Sequence, residues 1–190
     1  MSRRTLKHAK GTLYRVVRAG WDDPLDASFS QRAGDRRWNT VEFPALYCCC
    51  SLPVARGIAR DLFKLAGIEW EDLQPAWRPR LVDLTWEGEV VDVSTPEGIA
   101  EAGFPPDYPA GVSKRLTRAA ATQWHEAGDE GVACRSASLW RLGFSDWTGL
   151  HSRWSELAIF VENCGTRPVW TGHRDDPFWL SPGPGEPEAG

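Results

Sequence analysis

Apolar positions along the chain fall into short segments of two different periods. Residues 11–17 alternate, with Leu13, Arg15 and Val17 on one face and Tyr14 and Val16 on the other, which predicts a strand. Residues 45–50 form a second short apolar strand. It runs into a four-residue repeat of Val54, Ile58 and Leu62 with Ala55 and Ala59 alongside, which is one apolar face of a helix. Ser51 suits the N-cap, Pro53 the first turn, where a missing N–H costs nothing, and Gly67 the stop. Residues 81–86 and 90–93 predict two further strands joined as a hairpin at Glu87-Gly88, with Asp83 and Asp92 facing solvent. Residues 114–127 carry Leu116, Ala120 and Trp124 at helical spacing. Residues 131–138 begin as a strand and end in a serine-rich turn, and 156–161 form a last, mostly buried strand.

The segments between these elements read as loops: 20–31, 67–80, 96–111 and everything beyond Asn163. The resulting organisation is a basic flexible start over 1–10, a single α+β domain over 11–180, and a Pro- and Gly-rich disordered tail over 181–190.

Composition narrows the function classes. A net charge of −4 argues against a general nucleic-acid or membrane binder. Arginine outnumbers lysine 18 to 4, which supplies planar forks for phosphates or carboxylates. Trp140, Trp147 and Trp154 are spaced by seven, but Gly143 and Gly149 break any continuous helix, so these rings read as core and pocket-wall aromatics. The five cysteines lack metal-ligand spacing, and Cys48, Cys49 and Cys50 must alternate faces of a strand, so they cannot meet one metal. They imply a reduced, cytoplasmic protein. No apolar run reaches signal-peptide or membrane-spanning length. His8, His125, His151 and His173 are isolated, and no Ser-His-Asp set assembles.

The candidate chemistry centres on residues 34–56, an arginine-bearing loop followed by a strand and a capped helix, a unit that suits an anionic ligand. Arg15 shares a face with apolar residues, so it needs either a structural ion pair or an anion. Arg37 lies beside Trp38, Asn39 fits a turn, and Tyr47 is either a packed core ring or a ring that stacks on a ligand. Ser136 can cap backbone or hold a phosphate.

Tyr14-Arg15, Arg37-Trp38-Asn39, Tyr47 with Ser51 and Ala55, and the 131–137 segment Gly-Val-Ala-Cys-Arg-Ser-Ala resemble, in order and spacing, the RES domain family over residues 13–160. The resemblance implies an ADP-ribosyltransferase-like core of short, mostly antiparallel strands around a cleft with flanking helices. It implies a bacterial toxin that uses NAD as substrate and no metal, acting as an NAD glycohydrolase, NAD phosphorylase or ADP-ribosyltransferase. An antitoxin protein would cover the cleft, and a homo-oligomer is compatible with this. Arg15, Arg37, Tyr47 and Ser136 would be catalytic, with Trp38 and Asn39 also contacting NAD. The family glutamate, however, falls on Ile58. Asp61, Glu42 and Glu156 are the candidate replacements, with Asp61 first. The alternative is a catalytically silent module that binds a nucleotide or a partner.

Overall fold

The computed structural model describes residues 4–33, 36–147 and 154–181. The expectations for residues 182–190, for Gly149 and for His151 lie outside these. In chain order the elements are β1 (Leu6–Arg18), α1 (Ser28–Ala33), β2 (Leu46–Cys49), α2 (Leu52–Ala66), β3 (Pro79–Val93), α3 (Pro96–Glu101), α4 (Lys114–Glu126), β4 (Gly131–Arg135), α5 (Ala137–Arg141), β5 (Ser155–Ile159) and β6 (Val169–Arg174). The fold is α+β, and every strand pairing but one is antiparallel.

The pairings close a ring. The whole of β1 lies along β3, from Leu6 opposite Val91 to Arg18 opposite Pro79. The other edge of β3 takes β6 first and then β4, the latter in parallel. β4 pairs with β5, β5 with β2, and β2 returns to β1 where Cys49 faces Tyr14. All five ring strands send apolar side chains to one inner cluster, which includes Leu13, Leu46, Leu84, Ala133 and Leu157. Two clusters cover the outer face. One, under α3 and α4, contains Trp38, Phe43, Trp124, Val132 and Phe160. The other, under α2 and α5, contains Cys49, Val54, Ala55 and Leu139.

Several expectations change. β1 starts at Leu6, inside the stretch read as a flexible lead-in. Residues 81–93 are not a hairpin but part of one 15-residue strand, so β1 and β3 are long rather than short. Gly88 is not a turn residue. A Cβ there would lie 2.3 Å from the Trp86 ring, so the glycine makes room for an aromatic. Asp92 does not face solvent. It is buried and accepts from the Ser94 N–H at 2.8 Å and the Ser94 hydroxyl at 2.6 Å. On α4 the buried face is Thr117, Ala121 and Trp124, whereas Leu116 is exposed. α1, α3 and β6 occupy stretches read as loops.

The capped helix is as expected at both ends. α2 has Ser51 in extended N-cap geometry, although its hydroxyl makes no cap bond, and it stops at Gly67 with φ 63°, the left-handed conformation glycine adopts freely. A 3₁₀ turn, Pro177–Leu180, returns to α2, where Arg56 Nε donates to the Trp179 carbonyl at 2.6 Å.

Candidate active site

Register places the principal carboxylate. β5 lies between β2 and β4, and Glu156 sits directly opposite Cys49 on one side and Cys134 on the other. Its neighbour Leu157 fills the ring interior, so alternation turns Glu156 to the outer face, between the two outer clusters. Ser136, just past β4, caps α5. Its hydroxyl accepts from the Leu139 N–H at 3.3 Å and donates to Glu156 Oε1 at 2.5 Å. Ser136 is fully enclosed, while Glu156 is half-buried. Among the described residues no hydrogen bond reaches Glu156 Oε2. Burial raises the Glu156 carboxyl above the usual range. The Ser136 bond and the cations Arg141 and Arg37 act against that rise, and Asp61 adds to it.

Arg37 and Tyr47 stand on the same outer face. Arg37 Nη1 donates to the Val112 carbonyl at 3.0 Å, and the partly exposed guanidinium is within electrostatic reach of Glu156. The Tyr47 hydroxyl is used up by the protein: it donates to Asn39 Oδ1 at 2.9 Å and accepts from the Trp38 N–H at 2.9 Å. Burial raises its pKa far above the phenol range. The half-buried ring, not the hydroxyl, is therefore what Tyr47 can offer a ligand.

Trp38 and Asn39 are 2% and 0% exposed, so they shape the site from within rather than line it. Trp38 Nε1 donates to Cys134 Sγ at 3.1 Å, and its ring stacks on Trp124 at 5.8 Å. The Asn39 amide donates to the Ser30 and Thr40 carbonyls at 2.9 and 3.0 Å.

Two other predicted residues lie apart from this group. Arg15 points into the ring. It donates to the carbonyls of Tyr47 at 2.9 Å and Asp26 at 3.3 Å, and meets no carboxylate among the described residues. Burial lowers its pKa below the usual guanidinium value. It thus clamps the Tyr47 main chain from the opposite face of the sheet. Asp61 is 3% exposed and held by Arg141, whose Nε donates to both carboxylate oxygens and whose Nη2 adds a short bond to Oδ2. Arg141 also reaches the Ser138 hydroxyl at 3.1 Å. Asp61 is therefore an anchor for Arg141 and has no free oxygen edge to give a ligand. Glu42 is exposed on a loop.

Arg141, Cys49 and Cys134 were not among the residues the sequence placed in the site, and Glu156 ranked behind Asp61. Their proximity comes from strand register and from the short α5, neither of which has a periodic signature. A cavity of about 320 Å³ lined by Arg4, Thr5, Glu101, Gln123 and Trp124, among others, opens between the start of β1, α3 and α4, and contains none of the predicted site residues. Among the described residues no three His, Cys, Asp or Glu side chains converge as a metal site.

Comparison with known proteins agrees with this architecture. The sequence profile of the RES domain matches residues 12–145, and the chain belongs to the RES domain family. No curated protein matches the chain. Among solved structures, the crystal structure of the M. tuberculosis MbcT-MbcA toxin-antitoxin complex contains a chain of the same fold, with a TM-score of 0.69 and 19% identity over 89% of this chain and 85% of that one.

Proposed function

We propose that this chain consumes NAD by breaking the bond between nicotinamide and its ribose, with Glu156 standing in for the family glutamate that Ile58 replaces. The observation that carries the reading is the Glu156 carboxylate itself. One oxygen is fixed by Ser136, no described residue donates to the other, and Arg37 and the Tyr47 ring are on the same face. Membership of the RES domain family, whose members are NAD-degrading, supports the substrate class.

In this mechanism the Tyr47 ring packs against the nicotinamide end and Arg37 faces the pyrophosphate. Glu156 Oε2 takes the ribose hydroxyls. The C1′–N bond then breaks, its electron pair leaves with nicotinamide, and the positive charge growing on the ribose is stabilised by the nearby carboxylate. Water, phosphate or a protein side chain then attacks C1′. Arg15 contributes by holding the Tyr47 main chain, and Asp61 by holding Arg141.

Loss of NAD would arrest growth, so the active chain would be a cytoplasmic toxin kept masked by an antitoxin protein over the cleft. The MbcT-MbcA toxin-antitoxin complex, which shares the fold, supports such a pairing. Incubation of the purified chain with NAD, with and without phosphate, is expected to release nicotinamide. No release at high enzyme concentration counts against the reading.

A second reading follows from the expectation that the family glutamate falls on Ile58, an aliphatic residue. On it the chain binds NAD without turnover. Tight NAD binding with no nicotinamide release, together with activity gained by Ile58→Glu, would select this reading.

A further inference from the structure

The strand register sets a thiol on each side of Glu156, and the mechanism above gives those thiols no task. Cys49 on β2 and Cys134 on β4 are its direct cross-strand neighbours, and side chains opposite one another in a sheet share a face. Both are free and 2–3% exposed. Cys134 Sγ is occupied as an acceptor by Trp38 Nε1, and among the described residues neither thiol donates to the carboxylate. A serine, threonine, asparagine or lysine in either place would offer Glu156 a strong donor at cross-strand distance, whereas a thiol is a weak one.

We propose that Cys49 and Cys134 serve Glu156 by withholding a strong donor: they frame it with groups that do not claim its second oxygen and so reserve Oε2 for the vicinal hydroxyl pair of a ribose. The other groups facing the carboxylate fit this frame. Ser136, at the start of α5, takes Oε1. Arg37 from the loop before β2 and Arg141 from α5 act at longer range, as does Asp61 from α2 with the opposite sign, and Tyr47 has its hydroxyl bonded elsewhere. Both thiols are held protonated by burial, so they add no charge beside the carboxylate.

The consequence for turnover rests on the NAD-splitting reading, but the arrangement can be tested without it. The test follows the Glu156 side-chain carboxyl by carbon NMR across pH in the full chain and in Cys49→Ala, Cys134→Ala, Cys49→Ser and Cys134→Ser. The alanine variants add no donor and are expected to leave the titration midpoint within a few tenths of a pH unit. The serine variants add one and are expected to lower it by about one pH unit. In parallel, each serine variant should release nicotinamide about tenfold more slowly than its alanine counterpart. Equal midpoints in the serine and alanine variants overturn the proposal, and so does a large change in the alanine variants. If the midpoints move as expected while no variant, the natural chain included, releases nicotinamide, the frame around Glu156 stands and the NAD-splitting reading falls.

Discussion

The Ser136 hydroxyl lies 2.5 Å from Glu156 Oε1 while accepting the Leu139 N–H, so one side chain both starts α5 and fixes the carboxylate on the neighbouring strand. This dual role makes Ser136→Ala a sharp probe. Loss of an N-cap costs about 1 kcal/mol. Release of the carboxylate is a separate effect, and it should lower kcat for nicotinamide release on the order of tenfold while KM changes little. Urea unfolding and steady-state kinetics read the two effects independently.

Burial raises the Glu156 carboxyl above the value it has in the unfolded chain. The native state therefore keeps the proton over a pH window in which the unfolded chain has lost it. The group's favourable contribution to stability is present at low pH and is lost as pH rises through its raised midpoint. Glu156→Gln removes this titration. The Tm of the variant relative to the natural chain should rise as pH increases from the ordinary glutamate value, about 4.3, upward. A Tm difference that stays constant with pH would show that Glu156 is not displaced in this direction.

Arg141 and Asp61 are unequal partners. Asp61 is buried, with a side chain 4% exposed, whereas the Arg141 side chain is 38% exposed. Arg141→Ala leaves a buried charge without its partner and should cost about 3 kcal/mol. Asp61→Ala leaves an arginine that can turn to water, and should cost roughly half as much. Chemical denaturation of both variants checks the order.

Tyr47→Phe tests whether the ring or the hydroxyl matters to a ligand. The substitution strands the Trp38 N–H and Asn39 Oδ1, both now satisfied by the phenol, at a cost of about 1–3 kcal/mol. The ring remains, so KM for NAD should change by less than about threefold, whereas Tyr47→Ala should raise it by an order of magnitude or more, given about 1–3 kcal/mol for stacking on an aromatic ring.

Much of the ring was legible because its strands bury one face. The inward alternation of Leu13, Arg15 and Val17 and the face repeat of α2 both follow from that burial. β6 was missed because it is an outer strand with little buried on either side, so no alternation marks it. β3 was split because a central glycine looks like a turn until Trp86 is seen lying over it. Arg37, Tyr47 and Ser136 came from the family motifs; Ser136 bonds Glu156, Arg37 is within its electrostatic reach, and Tyr47 is on the same face of the sheet. Trp38 and Asn39 proved to be supports, and Arg15 lies on the other face. The rank of Asp61 over Glu156 followed from helical spacing alone, which says nothing of the Arg141 that encloses the first or the register that turns the second to the outer face.

The most direct measurement of the central claim is nicotinamide release from NAD by the natural chain and by Glu156→Gln, with folding of both verified by circular dichroism. The natural chain should release nicotinamide, and the variant should lose about 10²–10³-fold in kcat, the scale of removing one group that stabilises transition-state charge. Release that is undiminished in Glu156→Gln would contradict it.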